Sequence, residues 1–125
     1  KIIAEVKEKT VQFKRNLVIA LNYGSRDEVL RAINRYLKTG DREQPLTWEV
    51  FARFLDTVDI PDPDLIVRTS GECRLSNYLL LQAAYSELYF TATPWPDFNE
   101  EELKKAMNNY FSRDRRFGNI DQQPV

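Results

Sequence analysis

Leu65, Ile66 and Val67 form a consecutive apolar run, with Pro61 and Pro63 before it and Thr69, Ser70 and Gly71 after it. Such a run suits a short strand covered on both faces, which is how strands of parallel sheets are buried between helices. Two further runs fit the same role, Leu17–Leu21 and Leu88–Thr93. Between the first two strands lie two helical patterns. Strand, helices, strand is a crossover, so strands 17–21 and 64–68 are expected to be parallel with a right-handed connection. The predicted fold class is α/β, a mostly parallel sheet with flanking helices. Sheets of this kind bind ligands beyond the carboxyl ends of their strands, and Arg68 stands where the 65–67 run ends.

The helical segments follow from apolar spacing. Ile3, Val6, Thr10 and Phe13 recur at helical intervals over residues 1–15 and read as the end of a helix begun upstream. Ser25 with Glu28 predicts a capping box, opening a helix over 26–38 whose core face is Val29, Leu30, Ile33, Tyr36 and Leu37. Thr47 predicts the cap of a second helix burying Val50, Phe51, Phe54 and Leu55. Leu75–Tyr85 is apolar nearly all round and predicts a buried helix. Asn99 with Glu102 opens a last helix, with Leu103, Ala106, Met107, Tyr110 and Phe111 as its inner face and Gly118 as its stop. Residues 119–125 read as a frayed tail.

Composition excludes several kinds of function. The chain has 125 residues, one cysteine and no histidine, so an internal disulfide, a cysteine-cluster metal site, imidazole zinc sites and Ser-His-Asp chemistry are all ruled out within it. Cys73 reads as a spectator, and a single cysteine is compatible with a reducing compartment. The formal charge of −1 supplies no overall field toward nucleic acid, and anion binding must come from local patches. No apolar run approaches the roughly 20 residues that span a bilayer. The chain is expected to be cytoplasmic, one domain or part of one.

One local patch has the right chemistry. Arg68 at the strand end, the turn 69–72, and Arg74, Leu75 and Ser76 at the mouth of the apolar segment place two guanidinium groups and a hydroxyl close together. Guanidinium groups meet phosphate oxygens bidentately, a hydroxyl adds an adjustable donor, and a helix start adds free N–H groups. The same residues fit a purely structural reading, with Arg68 paired to Asp62 or Glu72, Ser76 as a cap and Arg74 solvated.

The order RTSGE, RLSN, an apolar segment, SELYFT, WPDF and RDRRFG, preceded by LNYGSRDEV at 21–29, resembles the carboxyl half of the cis-prenyltransferases, the undecaprenyl and dehydrodolichyl diphosphate synthases. The resemblance runs from Leu21 to Gly118. It implies condensation of isopentenyl diphosphate with an allylic diphosphate such as farnesyl diphosphate, assisted by Mg2+, with a new cis double bond at each addition. It implies further that Arg68, Arg74 and Ser76 bind the isopentenyl diphosphate, with Leu75 contributing backbone. Glu87 matches a magnesium carboxylate, and Glu72 is expected to orient Arg68 or Arg74. Arg115 resembles an arginine that crosses a homodimer interface to the neighbour's diphosphate, with Arg113 and Arg116 as near alternatives. The lipid product implies contact with a membrane surface.

One departure accompanies the match. The family's N-terminal half carries an aspartate followed by Gly-Asn-Gly-Arg-Trp-Ala, whereas this chain has four isolated glycines and no such motif. The chain therefore reads as a single partial domain, the carboxyl half of a longer enzyme, inactive by itself. Two other classes stay in view. A non-catalytic subunit of a heteromeric prenyltransferase has no need of the RTSGE and RLSN elements, and a general phosphate-binding module would be expected to carry a glycine-rich loop.

Overall fold

The computed structural model describes residues 2–12, 14–39 and 45–113. Its regular elements in chain order are α1 (Ile2–Thr10), α2 (Ser25–Thr39), α3 (Trp48–Ala52), β1 (Leu65–Arg68), β2 (Glu87–Phe90) and α4 (Glu100–Phe111), with short 3-10 turns at Gln82–Tyr85 and Trp95–Asp97. β1 and β2 form a parallel two-stranded sheet in which Leu65 lies level with Glu87 and Arg68 level with Phe90. The α/β class with a parallel sheet and flanking helices is thus what forms. Both strands are half-buried along most of their length.

Two sequence expectations fail here. Leu17–Leu21 is irregular and exposed, with Leu17 88% and Ile19 70% accessible. A strand exists only by pairing with a neighbour, and among the described residues the one sheet is β1 with β2, so an apolar run without a partner stays unpaired. The crossover predicted from 17–21 to 64–68 falls with it. Leu75–Tyr85 is not a buried α-helix but a series of turns ending in the 3-10 turn 82–85. Ser76, Asn77 and Leu79 hold positive φ of 49°, 63° and 46°, which a right-handed helix cannot contain.

α2 keeps only part of the face its apolar spacing predicts: Val29 and Tyr36 are half-buried, and the rest is inverted. Its most buried residues are Ser25, Glu28 and Ala32, whereas Leu30, Ile33 and Leu37 are exposed. Glu28 explains the inversion. Its carboxylate is fully buried and does not turn back to form the predicted capping box. Instead Oε1 accepts from the Asp56 N–H at 3.0 Å and the Thr57 hydroxyl at 3.3 Å, while Oε2 accepts from Gln82 Nε2 at 3.1 Å and from the Tyr23 hydroxyl. One side chain therefore joins the entry to α2, the turns after α3 and the segment before β2. The apolar core around it is small: Ala32, Leu55 and Ala106 are the buried hydrophobic residues among those described.

Burial, and then the hydrogen bond to Glu28, push the Tyr23 hydroxyl up from its usual 10 to about 12. A group whose pKa rises on folding contributes stability that is complete below its unfolded value and fades as pH climbs through the folded one. Ultraviolet titration should therefore show a phenolate step near 12. That step should vanish in Tyr23→Phe; its survival would place the late-titrating group elsewhere.

The other helices are local in origin. Thr47 caps α3 by accepting the Val50 N–H at 3.4 Å, as expected, but the helix stops at Ala52. Asn99 caps α4 by accepting the N–H groups of Glu101 and Glu102 at 3.0 and 3.2 Å. Glu102 turns to the Thr93 hydroxyl at 3.0 Å, which ties α4 to the exit of β2. Of the predicted inner face of α4, Ala106 is buried, Tyr110 half-buried, and Leu103, Met107 and Phe111 exposed. Of the stripe predicted for α1, Val6 is 54% exposed, and the side chains of Ile3 and Phe13 lie outside the described set.

Candidate functional site: a cleft at the carboxyl end of β1

The chain leaves β1 through a tight turn. Ser70 and Gly71 both adopt left-handed backbone, with φ of 68° and 72°. Gly71 takes such a φ at no steric cost and Ser70 does not. The pair is fixed against the exit of β2: the Ser70 N–H reaches the Thr93 carbonyl at 2.9 Å and the Gly71 N–H the Thr91 carbonyl at 2.8 Å, while the Thr91 N–H returns to the Arg68 carbonyl at 2.9 Å. This folds residues 72–78 back over the strand end.

A cleft of about 230 Å³ results, lined by Ile66, Val67, Arg68, Arg74, Leu75 and Tyr78. Three of the residues singled out from sequence, Arg68, Arg74 and Leu75, thus share one concavity at the carboxyl end of a parallel strand. Ser76 follows directly and is exposed. Glu72 pairs with Arg74 rather than Arg68. That pair is open to water, at 38% and 64% side-chain exposure. An exposed ion pair is worth at most about 1 kcal/mol, so Glu72 holds the Arg74 guanidinium only weakly. No carboxylate among the described residues pairs with Arg68. The free helix start expected beside Arg74 does not form, so that segment turns no helix dipole toward the cleft.

Glu87 lies elsewhere. It opens β2 level with Leu65, three residues short of the level of Arg68, which at the strand rise is about 10 Å. One carboxylate oxygen accepts from the Arg113 guanidinium, which also donates to the Leu88 carbonyl at 3.1 Å and to Asn109 Oδ1 at 3.0 Å. Arg113, weighed as an alternative interface arginine, is thereby engaged within its own chain. Arg115 and Arg116 lie outside the described residues. Cys73 is exposed. The described residues hold no cluster of three or more acidic or cysteine side chains able to enclose a metal ion.

Sequence reasoning missed Gln82 and Asn77 and read Glu28 only as a capping-box member; all three act through neighbours distant in the chain. The one available signal was local: Asn77 and Gln82 are polar residues within a run that the apolar pattern made a buried helix.

The fold and cleft define an α/β protein with two arginines in a cleft at a strand end. Comparison with known proteins gives the family: residues 1–118 match the family described as "Putative undecaprenyl diphosphate synthase", and the chain belongs to it. An isoprenyl transferase of Thermotoga maritima is 51% identical over 119 residues, 93% of this chain and 51% of that protein. One from Fusobacterium nucleatum is 48% identical over 96% of this chain and 53% of its own length. Among solved structures, a probable undecaprenyl diphosphate synthase from Campylobacter jejuni superposes with TM-score 0.76 at 35% identity, over 94% of this chain and 54% of that one. Lavandulyl diphosphate synthase from Lavandula x intermedia, in complex with dimethylallyl diphosphate, gives TM-score 0.81 at 32% identity, over 92% and 52%. The chain spans about half the length of the relatives it matches.

Proposed function

We propose that this chain supplies the isopentenyl diphosphate site of a cis-prenyltransferase that extends an allylic diphosphate into a polyprenyl diphosphate. The chief support is the meeting of Arg68 and Arg74 in one cleft, in a chain matched to the family over residues 1–118. Two fixed cations would grip the diphosphate of the nucleophile and set its double bond at a constant distance from the allylic carbon. Positioning of that kind, with electrostatic support for the departing diphosphate, is the form of catalysis the condensation requires. The allylic C–O bond breaks, the isopentenyl double bond attacks that carbon, and a proton is lost. No covalent enzyme intermediate is involved.

Mg2+ belongs to the same proposal. Magnesium is commonly held by one or two carboxylates with substrate phosphates completing its shell, and Glu87 fits as a single such carboxylate, one oxygen on Arg113 and the other available. From there, about 10 Å along the strands from the level of Arg68, the ion would reach the diphosphate through its water shell and ease its charge. A ligand role predicts that Glu87→Gln raises the magnesium concentration for half-maximal rate several-fold while the melting temperature hardly moves. The opposite pattern would make Glu87 a structural partner of Arg113. Homodimer formation, with Arg115 reaching the neighbouring site, and contact with a membrane surface complete the proposal. No described helix is long and apolar enough to cross a membrane.

The test uses the departure from the family. The purified chain, given farnesyl diphosphate, labelled isopentenyl diphosphate and magnesium, should bind isopentenyl diphosphate without elongating it. A chimera that joins the N-terminal half of the Thermotoga maritima relative to this chain should make longer polyprenyl diphosphates. A folded chimera without product, or elongation by the chain alone, would overturn the assignment.

A further inference from the structure

Asn77 sits between Leu75 and Tyr78, two residues that line the cleft, and one position after Ser76. Its backbone is left-handed at φ 63°, as are those of Ser76 and Leu79. Asparagine tolerates that region; serine and leucine do not favour it. Three such residues within four positions persist only where surrounding structure holds them. The hold comes from the turn that opens α2. The Asn77 carbonyl accepts the Ser25 N–H at 2.8 Å, its Oδ1 accepts the Arg26 N–H at 3.0 Å, and Ser25 Oγ accepts the Leu80 N–H at 3.0 Å. Ser25 is 1% exposed, so water competes little for its two bonds, whereas the Arg26–Asn77 bond lies at the surface. Gly24 completes the fit: a Cβ there would lie 2.7 Å from Asn77 Nδ2, closer than any real contact. Tyr78 is fixed from the same side, edge-on to Tyr23 with ring centroids 5.7 Å apart.

We infer that Gly24, Ser25 and Asn77 are a positioning unit that sets the 74–76 loop, and with it Arg74 and Ser76, at the distance a diphosphate requires. This rests on the diphosphate site proposed above. The helix start that would otherwise attract an anion has its first N–H groups committed to Asn77, and that commitment shapes the neighbouring cleft.

The experiment measures the dissociation constant of isopentenyl diphosphate by calorimetry for the chain and its Arg74→Ala, Gly24→Ala, Asn77→Gly and Gly24→Ala/Asn77→Gly variants, at a temperature where circular dichroism shows each fully folded. Gly24→Ala should weaken binding by about tenfold, because a group misplaced by an ångström loses much of its effect. Asn77→Gly, which accepts the backbone conformation but lacks the clamp to Arg26, should weaken it about threefold. It also removes the side-chain amide that a Cβ at position 24 would strike, leaving the flexible Asp27 carboxylate at 3.1 Å, so the double variant should be little worse than Asn77→Gly. Wild-type affinity in Gly24→Ala, or its full penalty persisting in the double variant, overturns the inference while a weakened Arg74→Ala keeps the diphosphate site. Unchanged affinity in Arg74→Ala removes the site and the inference together. Should Gly24→Ala not fold, Asn77→Gly decides: lost affinity supports the unit, and unchanged affinity refutes it.

Discussion

Glu28→Leu should lower the stability of the chain by about 3 kcal/mol or more, the largest loss expected from any single substitution in the described residues. The carboxylate accepts four hydrogen bonds at a position with no exposure, from Tyr23, the Asp56 N–H, Thr57 and Gln82. Leucine leaves all four donors behind. A buried donor without an acceptor costs about 1–3 kcal/mol, and water can relieve only those near the surface. The apolar core is too small to offset this, with three buried hydrophobic side chains among the described residues. Glu28→Gln keeps one acceptor oxygen but turns an NH2 toward groups that themselves donate, so it should fall between wild type and leucine. Thermal unfolding followed by circular dichroism checks the order, and a drop of roughly 10 °C is expected for leucine in a domain of this size. A melting point within a degree or two of wild type would mean that the network does not hold the elements together.

Arg74→Ala should weaken isopentenyl diphosphate binding by at least about tenfold, from the loss of a charge-assisted contact worth ~1.5–3 kcal/mol. Its removal also leaves Glu72 without its partner beside the cleft, adding repulsion toward the anion. Arg68→Ala should act in the same direction. Arg113→Ala should not, because that guanidinium is engaged by Glu87 and Leu88 at the other end of the sheet. Unchanged binding in a folded Arg74→Ala variant would remove the diphosphate assignment.

What could be read from the sequence was what local chemistry decides. The 65–67 run became β1, the caps at Thr47 and Asn99 formed, and the ordered motifs RTSGE and RLSN named the residues that line the cleft. The failures came where partners distant in the chain decide. Leu17–Leu21 has the composition of a strand, yet pairing is a property of two segments and no described strand meets it. The 75–85 segment has the composition of a buried helix, but its backbone is pulled into left-handed turns by hydrogen bonds to Ser25 and Arg26, some fifty residues earlier. Glu28 looked like one member of a capping box because its spacing from Ser25 fits one. Its inward turn depends on Asp56, Thr57 and Gln82, which no local pattern reveals. Glu87 illustrates the opposite limit: the motif marks the residue, whereas its pairing with Arg113 and its distance from Arg68 come only from the strand register.

The most direct test is a structure of the protein with isopentenyl diphosphate bound. Diphosphate oxygens should lie within hydrogen-bonding distance, about 2.7–3.2 Å, of the Arg68 and Arg74 guanidinium groups and of the Ser76 hydroxyl. The Glu72 carboxylate should have released Arg74. A diphosphate bound elsewhere, with Arg74 still on Glu72 and Arg68 untouched, would contradict the account.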